Sequence, residues 1–394
     1  MYCIYYQNPG VEEKLLFDPA YGLPLDDPVL TREAGSAGTL EFKIYKEHYA
    51  YTELNPVTTF FMVREGENEV FRGRYMGSEE DFYCTGSITC EGDLAFLYDS
   101  VQRPFEYKGN IEGFLQMVLN SHNSQVEPRK QFRLGIITVT DSNDYINRSD
   151  SGYAKSLDVL RDKLVDTHGG YLRTRRDGDV HYLDYLEDYG RTNNQKIRFS
   201  ENLLDLAKYT DATDIITALI PTGAVMDAGG QSRTLGIGSV NNGLDYVYDA
   251  DAVARLGWIW GTHNWKDVTT AKNLLAKARE YIKKASTLPV TMQLNAIDLI
   301  HAGVDTESFR LGYWTEVIAE ENGVHGTYLL VKMENHLANP EEDVIVLGGT
   351  LPSFTASNIS SKKITDKQIQ NVANNSSGID LQAMTKEDLE NILI

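Results

Sequence analysis

Hydrophobic and polar positions alternate through much of the first hundred residues. Leu40-Glu41-Phe42-Lys43-Ile44-Tyr45 repeats with period two, the mark of a strand with one buried face. Phe60 to Gly73 reads as a hairpin, two β-prone runs joined by the acidic turn Glu65-Gly66-Glu67-Asn68. Asp81 to Gly92 reads as another strand. Short strands at about ten-residue spacing predict a sandwich or barrel. From about residue 106 the period lengthens. Ile111, Phe114, Leu115, Val118 and Leu119 fall on one stripe of an amphipathic helix. A second helix is predicted after Asp150-Ser151, with Ala154, Leu157, Leu160 and Leu164 inward. Asp150 or Ser151 is its expected cap, and Gly169-Gly170 its stop. Tyr171–Arg176 and Val180–Leu186 flank Asp177-Gly178, a two-residue hairpin signal, so helix and hairpin make an α+β unit.

β character returns from Asp214 to Ala224. A long helix is expected from Val268 to Ala285, with Asp267 as cap and Ala271, Leu274, Leu275, Ala278, Tyr281 and Ile282 on its buried face. Strands resume at Val290–Leu294, Tyr313–Ile318 and Tyr328–Met333. Residues 353–385, rich in Ser, Asn, Lys and Thr, read as a flexible linker, with a short amphipathic piece from Thr385 to Ile394 behind it.

Composition narrows the function classes. At 394 residues the chain has room for two to four domains, and 42% hydrophobic with 24% charged residues supports a real core. Lys plus Arg is 37 against 57 Asp plus Glu, a net charge of −20. That balance weighs against gripping a phosphate backbone, though not against forming a wall that nucleic acid slides past. No apolar run approaches the ~20 residues that cross a bilayer, and the start lacks the basic and apolar regions of an export signal. Cys3, Cys84 and Cys90 make no disulfide framework and no C-x-x-C pair; they are expected as free or buried thiols. Twenty-three tyrosines against 13 phenylalanines suit half-buried β surface and subunit contacts.

Candidate chemistry is sparse. His301 and Asp305 have an H-x-x-x-D spacing used by some zinc peptidases, but the H-x-H pair those enzymes need is missing, as is H-E-x-x-H. Cys84 has no histidine near it in sequence, and Gly236–Val240 lacks the form of a nucleophile elbow. Glu79-Glu80-Asp81, Asp26-Asp27 and Glu341-Glu342-Asp343 each resemble a carboxylate pair, yet such runs usually mark solvated turns in so acidic a chain. Arg173, Arg175 and Arg176 form the one dense basic cluster, read either as an ion-pair ladder to a neighbouring subunit or as a solvated edge. Trp258, Trp260 and Trp265 precede the long helix; packing against it is the preferred reading over sugar stacking. No catalytic, cofactor-binding or metal-ligating residue is assigned, and no cofactor is expected.

Several stretches together resemble the prophage tail protein family, the N-terminal hub region of siphophage tail-associated lysins, which is related to baseplate hub proteins of contractile-tailed phages. The likeness runs in order through Ser156–Leu160, Gly169–Leu172, Asn202–Leu206, Ile215–Thr217, Ile220–Ala224, Val240–Tyr246, Leu256–Trp258, Leu311–Tyr313, Leu337–Pro340 and Ile345–Gly348, and covers roughly residues 35–350. It implies a multidomain α+β fold: two tail-tube-like β-barrel domains with peripheral α/β domains. The expected division is a barrel at 1–105, an α+β domain at 106–208, a second barrel from 209–248 and 287–352, a helical insertion at 249–286, and a linker with C-terminal segment at 353–394.

The resemblance further implies a homotrimeric ring at the virion tail tip, made in the bacterial cytoplasm. It would join the sixfold tail tube and distal tail ring to the tip, contact the tape-measure protein and tip or fibre proteins, and pass DNA without binding it specifically. Membrane insertion is not expected. Longer members carry a hydrolase or fibre domain, for which about forty residues beyond the last resembling segment leave no room, so no enzymatic role is carried over. Two alternatives stand beside this reading. One is a peptidoglycan-degrading lysin using carboxylates; the other is a cell-wall glycan-binding module using Trp258, Trp260 and Tyr246.

Overall fold

The computed structural model describes residues 2–348, apart from 23, 83, 84, 142, 143, 179, 229, 230 and 302. Cys84 and the predicted linker and amphipathic piece at 353–394 therefore lie outside the described residues.

Strands dominate, as the alternating pattern requires. The first seven are β1 (Tyr2–Gln7), β2 (Lys14–Phe17), β3 (Asp26–Glu33), β4 (Thr39–Tyr45), β5 (Phe60–Glu65), β6 (Asn68–Glu80) and β7 (Thr85–Gly92). In β4 the period-two run holds: Leu40, Phe42 and Ile44 are buried while Glu41, Lys43 and Tyr45 face out. The β5–β6 hairpin turns at Gly66, whose φ of 58° is left-handed backbone that suits glycine. Next come β8 (Phe105–Gly109), α1 (Ile111–Asn123), β9 (Arg133–Ile137) and β10 (Ile146–Asp150). They are followed by α2 (Ser156–Leu160), a π turn at Arg161–Val165, α3 (Asp166–His168), β11 (Tyr171–Asp177) and β12 (Val180–Leu186). Helix α1 starts where Asn110 Oδ1 accepts from the Gly113 N–H at 2.9 Å, and buries the stripe from Ile111 to Leu119.

The chain continues through β13 (Ile197–Arg198), β14 (Leu203–Thr210), β15 (Ala218–Thr222), β16 (Val225–Ala228), β17 (Gln231–Thr234) and β18 (Val247–Tyr248). After α4 (Ala250–Leu256) come β19 (Trp260–Asn264), α5 (Ala271–Ala285), β20 (Val290–Ala296), β21 (Trp314–Ala319), β22 (Val324–His336) and β23 (Val344–Gly348). Among the described residues no helix is long and apolar enough to cross a membrane.

Thirteen strands share one sheet, whose main path runs β14-β20-β23-β22-β3-β4-β7-β6-β5-β1-β2, with β21 paired to β22 and β13 to β21. The joint between its two halves is the antiparallel pairing of β22 with β3, from Lys332↔Glu33 to His336↔Val29. One core lies on each side of this seam: Ile4, Leu40, Phe61 and their neighbours on one, Met292, Leu294, Val317 and Leu347 on the other. Two further cores sit outside this sheet. One joins α1, α2 and the three-stranded sheet β11-β12-β9 through Phe114, Leu160 and Leu183. In the other, Leu219, Val247, Leu274 and Ile282 pack α5 against the sheet β18-β15-β19. Strand β15, from the stretch 209–248, thus lies between β18 of the same stretch and β19.

Several local expectations are corrected. The long helix begins at Ala271, with Thr270 at its cap position, because Asp267 is engaged with Arg148 at 2.8 Å. The second helix begins at Ser156 behind Lys155; Asp150 ends β10, and its Oδ1 accepts from the Gly152 N–H at 2.6 Å in the turn that follows. The strand expected from Asp214 is confined to Ala218–Thr222, and the one expected at Tyr328–Met333 extends over Val324–His336.

Candidate functional site

Two of the three clustered arginines, Arg173 and Arg175, reach a buried acid. With Asp177 opposite Val180, the β11–β12 register sets Arg173 opposite Asp184. The Asp184 side chain is 0% exposed and is held from three residues. Arg173 donates through Nε (3.1 Å) and Nη2 (2.6 Å), and Arg175 Nε reaches both carboxylate oxygens at 3.1 and 3.0 Å. The Ile136 N–H donates to Oδ1 at 2.8 Å. The guanidinium planes also lie over rings, Arg173 over Tyr189 and Arg175 over Tyr182. On the edge strand β11, with side chains 28% and 34% exposed, Arg173 and Arg175 form an intrachain clamp on one buried carboxylate, closed by Gly135, where a Cβ would collide with Asp184 Oδ1.

Beside the clamp is a cavity of about 500 Å³ that Arg32, Arg72, Arg176, Asp93 and His181 help line. Burial pushes the Asp93 carboxyl up to about 7 against the pull of Arg72 and Arg176. Burial, reinforced by the same two arginines, lowers the His181 imidazole to about 4. A second cavity of about 530 Å³ lies between α3 and α5, with Asp141, His168, Trp265, Lys277 and Tyr281 on its walls. Lys277 pairs with Asp141, and Arg148 reaches His168 Nε2 at 3.0 Å as well as Asp267. Burial, then Arg148 and Lys277, hold His168 down at about 4.

The tryptophans divide. Trp265 is buried and packs edge-on to Tyr281 of α5, as expected. Trp258 and Trp260 are not packed away against the helix. They are 50% and 52% exposed, stacked on each other at 5.5 Å, and Tyr246 lies 5.0 Å from Trp260. Tyr248, also about half exposed, completes the patch 5.2 Å from Trp258.

The acid runs scatter. Glu79 and Glu80 end β6 in solvent, Asp27 is exposed, and Glu341 and Glu342 are exposed in a 3-10 turn. Asp343 departs from its solvated neighbours. It is buried, accepts from Asn335 Nδ2 and the His336 N–H at 2.7 Å each, and burial raises its carboxyl to about 7. Cys3 and Cys90 are free thiols, the second buried in β7 and pushed up by that burial.

Asp305 is exposed and does not join His301. His301 instead meets Glu65 and Asp298, which the sequence reasoning does not single out; their ligand atoms all lie within 4.8 Å of one another. The only local signal is Asp298 three residues before His301, where the His301 N–H closes a turn on the Asp298 carbonyl at 3.0 Å. Glu65 arrives through the fold alone.

The sequence profile described as prophage endopeptidase tail matches residues 190–358. No curated protein matches. Among solved structures, the prophage tail protein gp18 from Listeria monocytogenes EGD-e is similar over 92% of this chain and 99% of its own, with 15% identity and a TM-score of 0.61. The 43 kDa tail protein of prophage MuSo2 from Shewanella oneidensis is similar over 88% of this chain and 97% of its own, at 11% identity and a TM-score of 0.59. A tail protein from Neisseria meningitidis MC58 is similar over 88% of this chain and 96% of its own, at 11% identity and 0.59. Residues 190–358 thus match the prophage endopeptidase tail profile, and the chain shares the mixed α+β fold of these prophage tail proteins, in the direction in which the ordered likeness in the sequence points.

Proposed function

We propose that this chain is an architectural component of a phage or prophage tail, a hub of three copies that joins the tail tube and distal ring to the tip. The observation that carries this reading is the seam between β3 and β22, which sews two cores into one sheet within one chain. Two tube-like halves per chain are what a threefold ring needs to match a sixfold tube. The ends of the main sheet path are β2 and β14, and β14 exposes Leu204 and Tyr209. Strand edges of this kind template pairing with another chain, so ring closure would set β14 of one copy beside β2 of the next. In this reading the net charge of −20 lines a wall that repels phosphate and lets DNA pass. The two α-containing units lie at the periphery, and no catalytic part is assigned. The partners would be the distal ring, tube, tape-measure and tip or fibre proteins, at the virion tail tip after synthesis in the host cytoplasm.

Light scattering of the full chain, alone and with the distal ring protein, tests the reading. A species near three times 44.3 kDa, alone or only with the ring, is expected. A monomer that ignores the ring and solubilises cell walls would support the lysin instead.

A second reading, glycan binding, is favoured by the exposed patch of Tyr246, Tyr248, Trp258 and Trp260, since stacked half-exposed aromatic faces suit sugar rings. Host cell-wall fragments should then change tryptophan fluorescence saturably; a flat titration removes this reading.

A further inference from the structure

We propose that Glu65, Asp298 and His301 form a binding site for one divalent transition-metal ion of the zinc type. Among the described residues this is the one group of three or more His, Cys, Asp and Glu side chains whose ligand atoms converge, all within 4.8 Å of one another. Acidic clusters alone mean little; what distinguishes this one is what its atoms lack. Glu65 Oε1 and His301 Nε2 are both buried and neither has a hydrogen-bond partner, and each side chain is only 10% exposed. Buried polar atoms without partners are rare and costly, and an ion is one of the few things that satisfies both.

The spacing fits an ion better than a direct bond. His301 Nε2 and Glu65 Oε1 are 3.5 Å apart. A charge-assisted N–H···O bond is shorter, about 2.7–2.9 Å. Two ligands at about 2.1 Å from a tetrahedral zinc stand about 3.4 Å apart. The charges also balance, since two carboxylates and a neutral imidazole offset a divalent cation. The ligand set is mixed, one nitrogen and two carboxylates, which suits zinc and its neighbours in the first row better than calcium or magnesium.

The third ligand is held in place. Asp298 Oδ1 accepts from Gln195 Nε2 at 2.5 Å and from the Ile300 N–H at 3.2 Å, and Oδ2 accepts from the Phe309 N–H at 2.8 Å. Gln195 Oε1 in turn accepts from the Leu299 N–H at 3.0 Å, so the turn carrying Asp298 and His301 is fixed from outside the ligand set. Supporting bonds of this kind orient ligands before the metal arrives. On the other side, Glu65 ends β5, where it lies opposite Tyr2, whose ring is 5.2 Å from that of His301. Glu65 belongs to the first half of the long sheet, Asp298 and His301 to the loop after β20 in the second. A bound ion would brace the two.

The test uses the full chain, stripped with a chelator and titrated with Co²⁺ and Zn²⁺. Expected are one equivalent per chain, visible Co²⁺ bands of tetrahedral type that Zn²⁺ displaces, and a higher Tm with metal. Glu65→Gln and His301→Gln should each weaken binding at least tenfold. His325→Gln, at an exposed His–Glu pair 3.6 Å apart, should not. No uptake by the native chain, or equal binding in Glu65→Gln and the native chain, overturns the proposal. X-ray absorption of the Zn²⁺-loaded native chain decides the matter should a variant misfold. A nitrogen and oxygen shell with a single imidazole is expected; sulfur, or several imidazoles, overturns it.

Discussion

Asp184→Asn probes how the β11–β12 hairpin is held. The substitution keeps the shape of the side chain and removes its charge. Wild-type Asp184 is 0% exposed and accepts from two guanidiniums and the Ile136 N–H. In the variant one oxygen must serve the two arginines, and the new amide N–H groups face donors. Breaking a buried ion pair by removing one partner costs about 3–5 kcal/mol. Here the arginines remain 28% and 34% exposed, so they can turn to water once released, which favours the lower end, about 3 kcal/mol.

Arg173→Met or Arg175→Met leaves the carboxylate one cation and one backbone donor, so each should cost less, about 1–2 kcal/mol. In the Asp184→Asn background either arginine change should cost clearly less than in the native chain, because the charge it served is gone and only one shared oxygen remains. Urea unfolding followed by far-UV circular dichroism gives the totals, and amide exchange across Val180–Leu186 gives the local opening free energy. An Asp184→Asn chain within about 1 kcal/mol of wild type would refute the reasoning. So would arginine variants that cost as much in the Asp184→Asn background as in the native chain.

Other outcomes follow from the same contacts. Gly135→Ala drives a Cβ into Asp184 Oδ1 and sets it 2.9 Å from the Leu183 carbonyl, so unfolding should become easier by about 2 kcal/mol or more, with amide exchange faster in β12 than in α5. The Asp93 carboxyl, at about 7 when folded and 3.8 when unfolded, holds its proton preferentially in the native chain, so stability is lost as pH rises from about 4 through 7. Asp93→Asn removes that dependence, and the variant should gain relative to wild type by up to about 4 kcal/mol between pH 4 and pH 8; a gain independent of pH, in melts at both ends, contradicts it. His168 runs the other way: unfolded it titrates near 6.5 and folded near 4, so stability is complete above 6.5 and falls by up to about 3 kcal/mol toward pH 4. His168→Gln should flatten that limb of the pH–stability curve. Asn110→Ala removes the acceptor for the Gly113 N–H and should cost about 1 kcal/mol in the same unfolding assay.

How much of this is legible in the sequence depends on how local each feature is. Strand β4, the β5–β6 hairpin and helix α1 follow from periodicity because their partners are close or their buried face is continuous. The Asp184 clamp lies just beyond counting: with Asp177 and Gly178 as the two turn residues, stepping back along both strands pairs Arg173 with Tyr182, whereas Asp177 in fact stays in the strand opposite Val180 and so sets Arg173 opposite Asp184. What the ladder and edge readings leave out is the lone acid in an apolar strand opposite, which Arg173 and Arg175 clamp from the edge strand. The exposed tryptophans are hidden for another reason. Trp258, Trp260 and Trp265 share a stretch, but β19 is short and alternates, so Trp260 and its neighbour Trp258 face solvent while Trp265 lies beyond the strand and turns in to α5. Glu65 beside His301 has no sequence signal at all, because the strand pairing that joins the two halves brings them together.

That pairing shows why the remainder of the fold cannot be counted out from periodicity. A one-residue slip between β3 and β22 would exchange the two faces of each strand, so something must fix the register. Apolar alternation does so only weakly here, since Asp26 to Glu33 and Lys332 to His336 are rich in polar residues. The polar groups at the seam supply what the pattern does not. Arg32 Nη2 donates to Asn335 Oδ1 at 2.8 Å, and Asn335 Nδ2 passes the chain on to Asp343, which also receives the His336 N–H. Asn335 and Asp343 are buried, so a slipped register would strand an amide and a carboxyl away from water. The alternatives are therefore penalised by unsatisfied polar groups as well as by the loss of buried apolar contacts such as Leu30 and Met333. The same reasoning explains why Asp343 looks like a surface acid in the sequence: its two acidic neighbours are solvated, and only β22, which sets Asn335 and His336 against it, ties it through Asn335 to Arg32 across the seam.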